Sequence, residues 1–432
     1  MSDRLPCKSE GCSATILQST ANRTGGYCMP CHQKMEREAY EEFIKQNRKD
    51  VNLYEGMTDF VDILKIMHTP KRYDPLKNYI KYEKSMEEVY NLLSKEELER
   101  LKYYALELIK NDELELAQNI LTRVVCYRNE DVGACLRALI AKGECYPEVI
   151  FKDAPNDVRD YLINQINNDS ETLNLNHILL ALAWIGDEKV VELFSNWKNN
   201  PPKWIDKLYI APEEYSLEAG WEITQDGRRR NLFYESCYKI ENYDDDDNTD
   251  SKTEPVLFLQ PKAEKCEWCG KDLVSILNFN LRNSVCSFIE LNEDIYSLDI
   301  MTCIFCNCYG YIYSEFDATG KSKWSELNAR PQYLYENEDD EFEFPKKTFA
   351  ISKEKRNPYH SASQFLETTF SQIGGCPTWI QDAEYPKCPK CSQHMKFISQ
   401  FDWEDVENYG EGIYYAFICS DCNIAATHYQ QS

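Results

Sequence analysis

Apolar positions follow two regimes along this chain. In the first half they recur at helical spacing. Met35, Ala39 and Phe43 stand four apart, with Tyr40 and Ile44 beside them, which predicts a charged amphipathic helix. Phe60, Val61, Ile63, Leu64, Ile66 and Met67 predict a short apolar helix that Pro70 ends soon after. Ser94 followed by Glu97 is a capping box, and Leu98, Leu101, Ala105 and Leu108 continue from it. Asp112 is expected to open another helix through Leu114, Ala117, Ile120 and Leu121. Within HILLALAWIGDEKVVELFSNW, residues 177–197, an apolar helix stops at Gly186. Asp187 caps the next one, and Val190, Val191 and Phe194 resume the stripe. Beyond residue 212 helical spacing fades. Short aromatic and β-branched runs at 309–316, 395–401 and 413–418 read as strands.

The pair of helices at 177–197 is similar to a HEAT-type hairpin, and 134–142 could belong to another. The period is irregular, so 51–212 is expected to form a repeat-like helical stack rather than a named array. Such stacks bury one face and present another to a partner. The fold class expected is α+β and multidomain. A zinc finger plus helix would occupy 1–50, the helical stack 51–212, a β-rich domain 213–345 and a ribbon-like end 346–432.

Twelve of the nineteen cysteines have metal-ligand spacing. Cys7, Cys12, Cys28 and Cys31 form the first quartet, Cys266, Cys269, Cys303 and Cys306 the second, and Cys388, Cys391, Cys419 and Cys422 the third. A CxxC turn supplies two thiolates from one knuckle, and two knuckles close a tetrahedron around zinc. Three structural Zn2+ sites are therefore expected. A closed four-thiolate site leaves no position for a reacting water, so its role is structural. Cys308 could replace Cys306, and His32, His394 and His428 are second-choice ligands. Cys286 reads as a packing residue, and Cys126 and Cys135 as small hydrophobes inside helices. Cys145, Cys237 and Cys376 also lack metal spacing.

Composition narrows the function. The 432 residues carry a net charge of −25, which repels phosphate backbones. Residues 1–38 hold five basic against four acidic side chains, a poor nucleic-acid footprint. No nucleic-acid partner is expected. No run of about 18 apolar residues exists, so no membrane span is expected either. Paired CxxC motifs without a secretory leader predict reduced thiols and a cytoplasmic location. Acidic blocks at 244–247 and 336–344 read as solvated loops, or as patches facing a basic partner. Phosphate-binding, nucleophile-elbow and metalloprotease motifs are missing, so no catalytic residue is assigned. Gly227 and Arg228 to Arg230 read as an ion-paired turn before an anion site.

Residues 373–402, IGGCPTWIQDAEYPKCPKCSQHMKFISQFD, followed by GIYYAFICSDC, are similar to the C-terminal end of the YwqG-like family. Gly374, Gly375, Pro377, Trp379, Gln381, Gln400 and Phe417 occupy its motif positions. The same segment is also similar to the programmed-cell-death-two family of ribosomal-protein chaperones. The YwqG-like resemblance implies a module without established enzymatic activity that recurs beside bacterial polymorphic toxins. The N-terminal finger and helical stack depart from that pattern. The expected function is a non-enzymatic immunity protein that binds a basic toxin of Rhs type and plugs its active site. An ADP-ribosyltransferase or nuclease toxin would suit acidic plugs. The alternatives are a chaperone for a basic ribosomal or translation-related protein and an uncharacterised hydrolase.

Overall fold

The computed structural model describes residues 4–168, 175–243, 253–291, 295–334, 344, 347–366, 370–407 and 410–431. The acidic block at 244–247 lies outside them, as does the block at 336–344 except for Phe344. The chain divides into two compact units, Met1–Ser85 and Met86–Ser432.

In the first unit β1 (Leu5–Pro6) pairs antiparallel with β2 (Thr15–Ile16), and α1 (Gln18–Thr24) and α2 (Met29–Asn47) follow. The charged helix expected near residue 35 is α2. Its apolar positions are not covered, however, and no residue of it is buried. Its first turn is what anchors it, through Cys28 and Cys31. Further on, β3 (Lys49–Val51) runs parallel to β4 (Lys77–Tyr79). Between them lies α3 (Phe60–His68), where the Asp59 carboxylate accepts the Val61 and Asp62 N–H groups at 2.9 and 3.2 Å. This cap satisfies two of the donors that a helix start leaves open.

The second unit opens with seven helices: α4 (Met86–Leu92), α5 (Lys95–Lys110), α6 (Leu114–Arg128), α7 (Gly133–Ile140), α8 (Asn156–Asn168), α9 (Leu175–Ile185) and α10 (Glu188–Asn199). The capping box forms as the sequence implies, with Glu97 N–H donating to Ser94 Oγ at 3.3 Å and Ser94 N–H donating to Glu97 Oε2 at 2.9 Å. Asp187 caps α10 by accepting from Val190 N–H at 2.9 Å. Asp112 does not cap a helix. It takes φ 65° in the turn that ends α5, a conformation Asp tolerates, and α6 starts at Leu114 with no side-chain cap.

After a short ribbon of β5 (Trp221–Ile223) and β6 (Arg229–Asn231), eleven strands build one sheet. They are β7 (Cys237–Tyr243), β8 (Thr253–Lys265), β9 (Asp272–Asn280), β10 (Ser297–Thr302), β11 (Ile312–Phe316), β12 (Ser322–Trp324), β13 (Thr348–Lys355), β14 (Gln372–Gly374), β15 (Lys396–Asp402), β16 (Ile413–Cys419) and β17 (Ile424–Gln430). Their order is β10-β9-β8-β13-β7-β14-β15-β16-β17-β11-β12, all antiparallel. The two ends approach each other. Asp299 N–H of β10 donates to Gly320 O at 3.0 Å, the Ser322 hydroxyl donates to Asp299 O, and the Thr302 and Thr427 hydroxyls meet at 2.7 Å. The sheet is thus nearly a barrel. Because β13 inserts between β7 and β8, the boundary expected at 345/346 falls within this sheet.

One core fills the space behind the strands with Phe279, Phe349, Phe401, Leu298 and Ile300, and Phe258 stacks on Phe401 at 4.0 Å. Strand β16 serves two cores. Tyr414, Ala416 and Ile418 face the first, while Tyr415 and Phe417 stack with Trp379 on the other face. A strand covered on both sides has no polar alternation to keep, which explains its continuous apolar run. The helices are fastened to the strand region at Glu87, which takes Arg356 Nη2 and His360 Nε2 each at 3.2 Å, and at Ala183 O, which accepts Trp221 Nε1–H at 2.8 Å.

Candidate functional site

The structure gathers all twelve predicted cysteines into three separate quartets, each with its four sulfurs within 4.8 Å of one another. In the first, the turn between β1 and β2 carries Cys7 and Cys12, and the start of α2 carries Cys28 and Cys31. Gly25 and Gly26, at φ 68° and 99°, turn the chain back between the two pairs. Cys7 Sγ accepts backbone N–H groups from Cys28 at 3.2 Å and Ser9 at 3.5 Å. These donors hold its thiol down at about 7.

The second quartet follows from strand pairing. Cys266 and Cys269 form the turn between β8 and β9, where Gly270 takes φ 75° and donates to Cys266 O at 2.8 Å. Antiparallel pairing of Thr302 with Val274 delivers Cys303 and Cys306 from the end of β10 to the same place. Trp268, Leu273, Met301 and Ile312 enclose them, and Cys266, Cys303 and Cys306 are at most 2% exposed. The third quartet sits on the β15–β16–β17 meander. The Cys388 turn closes with Ser392 at φ 61°, and Cys419 and Cys422 flank the β16–β17 turn. Here Cys388 is buried, Cys391 is exposed and the other two are half-buried.

The sulfur spacing fits a tetrahedral ion. Sγ atoms stand 3.8 Å apart at Cys12–Cys28, 3.9 Å at Cys266–Cys306, 3.6 Å at Cys269–Cys303 and 3.7 Å at Cys391–Cys419. A tetrahedron with metal–sulfur bonds of ~2.3 Å has edges of ~3.8 Å, whereas a disulfide needs ~2.05 Å. All nineteen cysteines are free of disulfides. The twelve could therefore hold three metal ions. Within the second quartet, Cys303 and then Cys306 pull Cys266 far below the usual thiol range, while Cys303 and Cys306 are pushed far above it by Cys266. Four thiolates at this spacing repel, and a cation relieves that repulsion.

The second-choice ligands stay outside. His32 pairs with Glu36 at 3.2 Å, His394 with Glu222 and His428 with Glu384, each at 2.5 Å. Cys308 is exposed and outside the second quartet. Cys126, Cys135, Cys145, Cys237, Cys286 and Cys376 are all buried. The three arginines of the GRRR turn are engaged as ion pairs and caps. Arg228 pairs with Asp226, Arg229 Nη1 donates to Gly186 O at 2.6 Å over the Trp221 ring, and Arg230 Nε donates to Glu222 at 2.7 Å.

Of the residues that carry the YwqG-like resemblance, all but the exposed Gln381 are buried. Gly374 and Gly375 have φ of 67° and 71°. A Cβ there would lie 1.9 Å from Ser236 O and 2.9 Å from Pro358 O respectively, so neither position admits a side chain without movement. Gln400 accepts from Thr378 N–H at 2.9 Å and donates to Phe370 O at 2.9 Å. Tyr415 donates to Thr378 O at 2.6 Å beneath the Trp379 ring.

Two cavities adjoin this network, and no local sequence pattern assembles either. One, of about 400 Å³, holds the His428–Glu384 pair beside Tyr311 and Gln381. The other, of about 150 Å³, lies between the helices and the Trp379 loop and includes Glu148 and Glu218. Trp379 and Gln381 stand out through the YwqG-like motif and Cys308 and His428 as second-choice metal ligands, whereas the remaining lining residues come from elements far apart in the chain.

No family model and no solved structure matches the chain. The fold and its centres define a mixed helix–sheet protein with three tetra-cysteine clusters. The chain is 38% identical over 440 residues to "Uncharacterized protein YpfL" of Salmonella typhimurium strain LT2, with the whole of both chains covered. The chain belongs to the family of that protein. Among the described residues, no helix is long and apolar enough to cross a membrane.

Proposed function

We propose that this protein is an immunity protein that neutralises a cognate secreted toxin of polymorphic, Rhs type by binding it and covering its active site. The observation that carries the reading is the placement of the tetra-cysteine clusters. Each closes on four sulfurs at a turn joining scaffold elements, and none of the twelve lines either cavity. Ions held there brace a binding surface. We read them as zinc, because an all-thiolate tetrahedron of this size suits that ion. The YwqG-like resemblance at the C-terminal end supplies the link to toxin neighbourhoods. The helices of the second unit, read as HEAT-like hairpins, offer a second face of the clasp. Reduced thiolate quartets suit the cytoplasm of the cell to be protected.

The net charge of −25 favours a basic partner, speeding encounter more than tightening the complex. Exposed aromatic side chains such as Tyr73, Tyr103, Tyr209 and Tyr333 supply rigid contact area. Blockade of this kind is stoichiometric and leaves the toxin's product unchanged. The test is co-expression with the neighbouring toxin gene, followed by a toxin assay at varied ratios of the two proteins. Inhibition complete near equimolar ratio, with co-purification of both chains, is the expected result. Rescue by substoichiometric protein, or removal of a modification from the toxin's target, would identify an enzyme instead.

A further inference from the structure

We infer that the cavity between the α9 region and the Trp379 loop is a receptor for a guanidinium group. It is built in two tiers. Trp184 and Trp379 form a floor with exposures of 9% and 7%, and Tyr146 and Phe365 form a rim with exposures of 38% and 57%. Glu148 and Glu218 supply the charge, and among the described residues no lysine or arginine lines the space. Each carboxylate has one oxygen engaged. Glu148 Oε1 meets His177 Nδ1 at 2.5 Å, and Glu218 Oε1 accepts Ala383 N–H at 2.6 Å.

Aromatic walls around two carboxylates, of which, among the described residues, only Glu148 has a cationic partner, His177, fit an organic cation, because the ring faces attract positive charge and the carboxylate oxygens left over complete its shell. A guanidinium suits them better than an ammonium. It is planar, stacks on indole and phenol rings, is weakly hydrated and presents donors in a fork. The volume of about 150 Å³ admits that head group with a short aliphatic stem and little more. A second observation points to a ligand with an oxygen acceptor. The Trp379 indole N–H is buried and meets no acceptor among the described residues, which is costly unless a bound group supplies one. Burial first, then Asp382 and Glu148, pushes the Glu218 carboxyl up to about 7.

The test is calorimetry on the full chain with four probes: propylguanidinium, its neutral isostere propylurea, n-butylammonium and N-acetylarginine amide. Saturable binding of propylguanidinium and none of propylurea is the expected result, with n-butylammonium weaker. Glu218→Gln should weaken binding about tenfold or more, and the rim change Phe365→Ala by a smaller factor, through loss of a charged hydrogen bond and of ring contact respectively. Phe365 is exposed, so its variant folds and keeps the test decisive if Glu218→Gln does not. Binding of N-acetylarginine amide as well would assign the cavity to an arginine presented by a protein, and its failure there would assign it to a free small guanidine. The inference is overturned if propylguanidinium gives no saturable heat, if propylurea binds equally, or if neither substitution alters binding.

Discussion

The second and third tetra-cysteine centres share a plan but differ in depth. Both unite two CxxC turns through antiparallel strands. At the second, Cys303 is fully buried and Trp268 meets Trp324 edge-on at 5.5 Å around it. At the third, Cys391 lies in solvent and two partners are half-buried. The residues inside the turns account for the difference. Glu-Trp and Ile-Phe stand between the cysteines of the second centre, and Pro-Lys and Ser-Asp between those of the third. Apolar turn residues draw the second centre into a core of its own, while polar ones leave the third at the surface. The spacing of the cysteines reports that a site exists, and the residues between them report how deeply it sits.

The largest expected effect separates the two centres by mutation. Cys303→Ser should prevent folding of the β10 end of the sheet, since a structural ion contributes on the order of 10 kcal/mol to a small metal-dependent domain and this centre shares its core. Cys391→Ser should cost less and remain confined to the β15–β17 meander. Circular dichroism and limited proteolysis would distinguish these outcomes, and equal loss of structure in both variants would break the comparison. Next comes metal exchange. With a chelator and a colorimetric thiol reagent, the third centre should release its ion before the second, because its sulfurs are reached without opening a core. Simultaneous release would mean that depth does not govern lability.

A third expectation concerns the aromatic stack that supports the third centre. Phe417→Ala removes a fully buried ring between Trp379 and Phe397 and should destabilise the protein by about 3–5 kcal/mol in denaturant unfolding. The smallest effect is a pH dependence. Glu218 has a carboxyl raised to about 7, so the folded protein prefers it protonated. Its contribution to stability is therefore present below its unfolded value of about 4.5 and is lost as pH rises to about 7. Glu218→Gln should flatten that slope by roughly 1–3 kcal/mol across this interval. An unchanged profile from paired denaturant titrations would show the carboxyl to be solvated.

Much of this architecture could be read from the chain. Cysteine spacing identified every member of the three quartets, because a knuckle is a local device with fixed geometry. The capping box at Ser94 and the stop at Gly186 were legible for the same reason. Asp112 misled because an acidic residue before an apolar run serves equally as a cap or as a left-handed turn, and only the path of the backbone chooses. The expected boundary at 345/346 fell inside the sheet because strand order is not sequence order. No periodicity in β13 announces that it inserts between β7 and β8. The guanidinium cavity was invisible for a related reason. Glu148, Trp184, Glu218, Phe365 and Trp379 belong to five separate segments, and neither charge nor aromaticity at one of them signals the others.

Three closed metal centres at the quartets would hold the scaffold together. X-ray absorption at the zinc edge, combined with elemental analysis of the purified full chain, tests this directly. The expected result is close to three zinc ions per chain, each with a sulfur-only shell at ~2.3 Å. One ion or none per chain, or a shell containing nitrogen or oxygen ligands, would contradict it.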